Sequence, residues 1–115
     1  MQRLFKSFGY ALSGIAYTTK TQLNFKIHLL AIVVVTLLGY FCKLSTGEWL
    51  WIVLAIGLVL VTELLNTAIE LLVDLVSPGF NALAGKVKDV AAGAVLVSAV
   101  IAVFIGVIIF IPKFF

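Results

Sequence analysis

The chain has 115 residues, 63% of them hydrophobic, with a mean hydropathy of +1.26. Soluble domains sit near about 45–50% apolar, so the composition excludes one and points to a single integral-membrane domain over residues 1–115, too short to carry a separate soluble catalytic domain. The net charge of +3 is modest, and the single cysteine excludes an intrachain disulfide and speaks against a thiolate metal site.

Residues 2–20 read as an amphipathic helix. Phe5, Phe8, Leu12 and Ile15 recur at helical spacing, while Lys6, Ser7, Ser13 and Thr19 face elsewhere. Such a helix suits the membrane surface. The stretch GYALSGIAYTTKTQLNFK is too polar for a secretory signal, and none is expected. A first transmembrane span is expected over 23–42, with His28 near its start as an interfacial hydrogen-bonding group and Cys42 at its end as a small apolar residue. The short loop KLSTGE follows, with Thr46 as the expected helix cap. Trp49 and Trp51 then sit where an aromatic belt would anchor a second span over 48–76.

That span is long for a bilayer core of about 30 Å, so its last turns should reach the headgroups. Ser77, Pro78 and Gly79 break it. A second loop carries Lys86, Lys88 and Asp89, with Asp89 as a plausible cap. A third span is expected over 89–111, ended by Pro112. Arg3, Lys6, Lys20, Lys26, Lys86 and Lys88 fall on one side of the membrane, and only Lys43 and Lys113 on the other. The N-terminus and second loop are therefore expected to be cytoplasmic. Orientation and anionic headgroups account for these charges, and no nucleic acid is implied.

The second span holds the chemistry. Its apolar run WLWIVLAIGLVLVTELLNTAIELLVDLV carries Glu63, Asn66, Glu70 and Asp74. Acidic groups at the centre of a membrane helix cost about 2.5–3.5 kcal/mol each on insertion scales. At 100° per residue, Glu63, Glu70 and Asp74 fall within roughly 40° of one another, with Asn66 on the flank. Glu63 and Glu70 are about 10 Å apart along the axis. Counting from Trp49 places Glu63 in the inner half of the span and Asp74 at its boundary with water.

Three readings of this stripe stay open on spacing alone. It could be a structural polar network, in which helix-to-helix hydrogen bonds satisfy Asn66 and Thr67. It could line an ion or proton path. Or it could hold a divalent cation and a phosphate, since unpaired buried charge destabilises and hard cations favour oxygen ligands. The segment GFNALAGK is not a phosphate-binding P-loop: five residues separate its glycines where the pattern needs four, and Val87 follows Lys86.

The segments TELLNTAIELLVDLVSP and LAGKVKDVAAGAVLV together resemble the prokaryotic diacylglycerol kinase family, small integral-membrane lipid kinases that include undecaprenol kinases. RLFKSFGYALSGI and NFKIH fit the same family, so the resemblance spans essentially the whole chain. It implies an all-α membrane protein, with an N-terminal surface helix and three transmembrane helices, assembled as a homotrimer in the bacterial cytoplasmic membrane. It also implies transfer of the γ-phosphate of ATP, with Mg2+, to a lipid hydroxyl at the cytoplasmic interface.

Carried over by motif, Glu63 is the expected general base and contacts the lipid together with Arg3. Asn66 assists it, and Glu70 and Gln22 hold the metal. Arg3, Tyr10, Gln22, Glu70, Gly79, Phe80, Asn81, Lys88 and Asp89 are the expected nucleotide-binding residues. Two positions depart from the family pattern. Gln22 stands where the family often has a metal-binding glutamate, and Asn81 where a histidine is common. Diacylglycerol is the first expected acceptor and undecaprenol the alternative; NFKIH and LAGKVKDVAAGAVLV resemble the versions in Gram-positive and Bacteroidetes relatives.

Overall fold

The structure is a computed structural model that describes residues 1–115. Four helices account for nearly all of it: α1 (Gln2–Thr21), α2 (Leu23–Phe41), α3 (Thr46–Val76) and α4 (Ala82–Phe114). The last three are long and apolar enough to cross a membrane. Helix α1 has the amphipathic pattern but little cover. Its polar C-terminal end is tolerated because Thr18, Thr19 and Thr21 each donate a hydroxyl to the backbone carbonyl four residues back. The helix stops at Gln22, whose extended backbone (φ −110°, ψ 112°) is the only break before α2 begins.

Helix α2 ends in a Schellman turn. Leu44 N–H donates to Gly39 C=O and Lys43 N–H to Tyr40 C=O, with Lys43 in the left-handed region at φ 55°. The turn admits no side chain at position 39: a Cβ there would sit 2.7 Å from Trp49 Cη2 and 2.9 Å from Leu44 Cδ1. Helix α3 is then capped one residue earlier than expected. Ser45, not Thr46, caps it, because only Ser45 stands three residues before Glu48. Ser45 Oγ accepts from Glu48 N–H at 3.2 Å and Ser45 N–H donates to Glu48 Oε1 at 2.9 Å, a reciprocal capping box. Lys113 at the end of α4 also donates to Glu48 Oε1, at 3.1 Å, which ties the chain's two ends of the α3–α4 pair together.

The boundaries of the third span need the larger correction. Helix α4 begins at Ala82, seven residues before the expected start, and its cap is Asn81, not Asp89. Asn81 Oδ1 accepts from Leu83 N–H at 2.9 Å and Ala84 N–H at 3.1 Å, so the loop shrinks to the residues around Pro78. Lys86, Lys88 and Asp89 are therefore helical residues. At the other end the helix runs past Pro112 to Phe114, giving up one backbone bond at the proline.

Helices α3 and α4 form an antiparallel hairpin, and α2 touches α3 more sparsely. A small core of Leu44, Ile52 and Ile109 closes the end nearest the α2–α3 turn, with Trp49, Phe110 and Cys42 packed round it. Near the middle of the hairpin, Thr62 Oγ1 and Ser98 Oγ lie 2.7 Å apart. Only 12 of 115 residues are buried, so most of the apolar side chains face outward, as a membrane solvent requires.

Candidate functional site

The face of α3 opposite its lipid-exposed side carries the acidic stripe, and burial falls steadily along it. Glu63 is 3% exposed, Asn66 and Glu70 are half-buried, and Asp74 is exposed. Three contacts mark three heights on this face. At the deepest, His28 on α2 brings Nε2 to 3.1 Å from Glu63 Oε1. That contact is not a hydrogen bond, so the oxygen has an imidazole beside it and no hydrogen-bond partner. Thr67 donates its hydroxyl to the Glu63 carbonyl at 3.0 Å and stays within α3.

One turn on, Asn66 Nδ2 donates to Glu70 Oε1 at 3.1 Å, the i,i+4 spacing that brings helix neighbours together. Asn66 Oδ1 is buried and unpartnered. At the shallow end, Lys88 Nζ donates to Asp74 Oδ1 at 2.6 Å across the α3–α4 corner. Asp74, without a role in the sequence reading, is thus the partner of Lys88.

No three His, Cys, Asp or Glu side chains cluster closely enough to cage an ion. Glu70 with the orphaned Asn66 oxygen beside it nonetheless fits a Mg2+ ion, which takes one or two carboxylates and completes its shell with water and substrate phosphates. Gln22 is half-buried at the α1–α2 break, and its side chain makes no hydrogen bond.

The remaining candidate residues make no hydrogen bond to the stripe. Arg3 and Tyr10 are exposed on α1, and Tyr10 borders a groove between α1 and α3 of about 780 Å³ that Ser13, Thr18, Leu64 and Thr67 also line. Gly79 and Phe80 are exposed in the α3–α4 turn, Asn81 is occupied in capping α4, and Asp89 is exposed. His28 is the site residue that the sequence reading placed elsewhere. Its signal was available only in part: a buried carboxylate on α3 needs a polar neighbour, and His28 lies deeper along α2 than Asn24 and Lys26, the other polar residues of its first two turns.

The fold and this face together define an integral-membrane protein with an acidic helix face and a Lys88–Asp74 pair at one end of its helical hairpin. Residues 9–110 match the family described as prokaryotic diacylglycerol kinase. The chain is 48% identical over 113 residues to the undecaprenol kinase of Bacillus subtilis, covering 98% of this chain and 92% of that protein. It is 41% identical over 110 residues to the diacylglycerol kinase of Synechocystis, covering 95% of this chain and 63% of that longer one. Identity to the Escherichia coli K12 diacylglycerol kinase is 26% over 101 residues, or 88% and 83% of the two chains. The chain belongs to the prokaryotic diacylglycerol kinase family, and it is a lipid kinase.

Proposed function

We propose that the chain transfers the γ-phosphoryl group of ATP to the hydroxyl of a membrane lipid, with Glu63 as the general base. The observation that carries this reading is the Glu63 carboxylate: it is buried, and one of its oxygens has no hydrogen-bond donor. A lipid alcohol placed there donates its O–H to that oxygen. The alcohol oxygen then bonds to the γ-phosphorus as the β–γ bridging bond breaks, ADP leaves, and the proton passes to Glu63. Asn66, one turn away, orients groups beside the base.

Glu70 is the proposed Mg2+ ligand, with Gln22 contributing a neutral oxygen. The ion, when bound, neutralises charge on the phosphates. Lys88 is the proposed phosphate cation, displaced from Asp74 as nucleotide arrives. Arg3, Tyr10, Gly79, Phe80, Asn81 and Asp89 complete the proposed nucleotide site. No hydrogen bond joins them to the stripe within one chain, and association of chains, as a homotrimer, is part of this reading. The skew of basic residues supports a cytoplasmic N-terminus, with the site at the cytoplasmic face of a bacterial inner membrane.

The acceptor is proposed to be undecaprenol, on the 48% identity to an undecaprenol kinase over nearly the whole of both chains. Diacylglycerol is the second reading, favoured by the family and the other relatives. The test is purified protein in mixed micelles with MgATP and either lipid, measured as lipid phosphate formed. Faster turnover of undecaprenol supports the first reading. Glu63→Gln should abolish transfer by at least about a hundredfold while leaving the folded state in place. Wild-type protein that phosphorylates neither lipid would sink the kinase reading.

A further inference from the structure

The acidic stripe does not end at Glu63; it changes character. Toward the α2–α3 turn the same face of α3 continues with Val59, Ile56 and Ile52, and these side chains wall a cavity of about 180 Å³ between α2, α3 and α4. Ile56 lies within about 20° of Glu63 in helical projection. The far walls are supplied by residues such as Val35 on α2 and Phe110 on α4. Only one residue on the lining is polar, and it is His28. The ring that stands 3.1 Å from the Glu63 carboxylate is therefore also the threshold of an apolar cavity.

We propose that this cavity binds a single hydrocarbon tail of the lipid acceptor, with His28 at its mouth placing the alcohol end of that tail against Glu63. The inference rests on Glu63 being the base. Three features support the occupant. The cavity begins at His28, whose ring stands 3.1 Å from the Glu63 carboxylate, so a tail inside it brings its own hydroxyl toward the orphaned oxygen. It runs along α2 from His28 to Leu38, about 15 Å at helical rise, which suits an extended chain more than a compact group. Its volume is also small: an apolar cavity of about 150 Å³ stays dry and takes up one benzene, so this one holds a stretch of one tail and not two.

The selectivity this gives comes from shape. Lipid tails outside the protein are as apolar as the cavity, so nothing is gained from water when a chain moves in. What distinguishes a fitting tail is close packing against the cavity walls, contact by contact. A flexible single-tailed alcohol can thread such a cavity. A two-tailed lipid must leave one tail outside it.

Gly106 gives the test its handle. It lines the cavity, and a Cβ built on it meets nothing within 4 Å, so Gly106→Val fills the space without a clash. It also lies eight residues beyond Ser98 on α4, about 12 Å farther from the level of Glu63, so only long tails reach it. Single-tailed alcohols of increasing length would be titrated as acceptors in mixed micelles. Gly106→Val should raise KM on the order of tenfold for long tails, with the effect fading as the tail shortens. Ile108→Phe, a bulky change on an exposed face of the same helix, should leave the whole series as in the wild type.

A readout free of catalysis separates this inference from the kinase reading. A long-chain alcohol with a diazirine at its tail end would be photolysed with wild-type protein and the adducts mapped. Adducts on Val35, Ile56 or Phe110 that vanish in Gly106→Val are the expected result, whether or not the protein phosphorylates that alcohol. Adducts scattered over the exposed faces, labelling unchanged by Gly106→Val, or a KM rise equal at every tail length would each overturn it. Cross-links between Val35 and a second copy of the chain would do so too, by showing another occupant.

Discussion

Lys88 and Asp74 face each other across the α3–α4 corner at 2.6 Å, so the cation proposed to meet nucleotide phosphate is already held by a carboxylate. Both side chains are partly open to solvent, 40% and 62% respectively, so the pair is weakly held and yields readily to a polyphosphate. Asp74→Asn removes the competitor. It should lower KM for ATP by up to about fivefold, with kcat and the melting temperature nearly unchanged. Lys88→Met should raise the same KM. Steady-state kinetics with ATP varied at saturating lipid decide the matter, and a raised KM in Asp74→Asn would make Asp74 a positioning residue for Lys88 instead.

The His28–Glu63 contact predicts a stability cycle. Replacing His28 by Phe puts a hydrocarbon ring where the imidazole now faces the buried carboxylate at 3.1 Å, and should destabilise the protein. Glu63→Gln removes the charge that made the neighbour necessary. Thermal unfolding in detergent should therefore find the double variant less destabilised than the sum of the two singles. Strict additivity would mean that the two side chains do not sense each other.

The hydroxyl pair Thr62–Ser98 stands one residue from the base and fixes α4 against α3 at that level. Each hydroxyl also lies within reach of its own helix, on the Val59 and Val95 carbonyls, so either retains a partner when the other is lost. That local alternative keeps the cost small. Ser98→Ala and Thr62→Val should each destabilise the hairpin by about 0.6 kcal/mol, the mean for hydrogen bonds between membrane helices. Losses above about 2 kcal/mol would mean that packing, not the hydrogen bond, dominates there.

Gly39 is the tightest glycine in the molecule. Gly39→Ala drives a methyl group into the Trp49 ring and the Leu44 side chain. Leu44 belongs to the small core at the turn and cannot move aside freely. The variant should lose about 1–3 kcal/mol, the usual cost of overpacking, and its tryptophan emission should shift as Trp49 is displaced. The same change at Gly9, where a Cβ meets nothing within 4 Å, should do neither.

What the sequence makes legible follows from the range of the forces involved. The three long helices and the acidic face of α3 depend on apolar composition and on the helical period, both of which are local properties. Helix starts are less legible where two candidate caps compete. Thr46 and Ser45 are neighbours, and only the distance to Glu48 decides between them. The charges at Lys86, Lys88 and Asp89 read as loop, yet Asn81 has already capped the helix that contains them. The contacts of the site lie beyond any local rule. His28 and Glu63 are 35 positions apart, and Asp74 meets Lys88 only because the hairpin folds back on itself.

Gln22 has one more consequence. Two helices meet at this single extended residue, so the attitude of α1 toward the rest of the molecule hangs on the φ and ψ of one peptide joint. Helix α1 is a rigid lever of about 30 Å, and a rotation of ten degrees at its root sweeps its tip through about 5 Å. Arg3 rides at that tip. The residue that breaks the helix thus sets the aim of a distant guanidinium, and Gln22→Pro or Gln22→Gly would alter where the N-terminus points as well as removing the side-chain oxygen proposed for the metal.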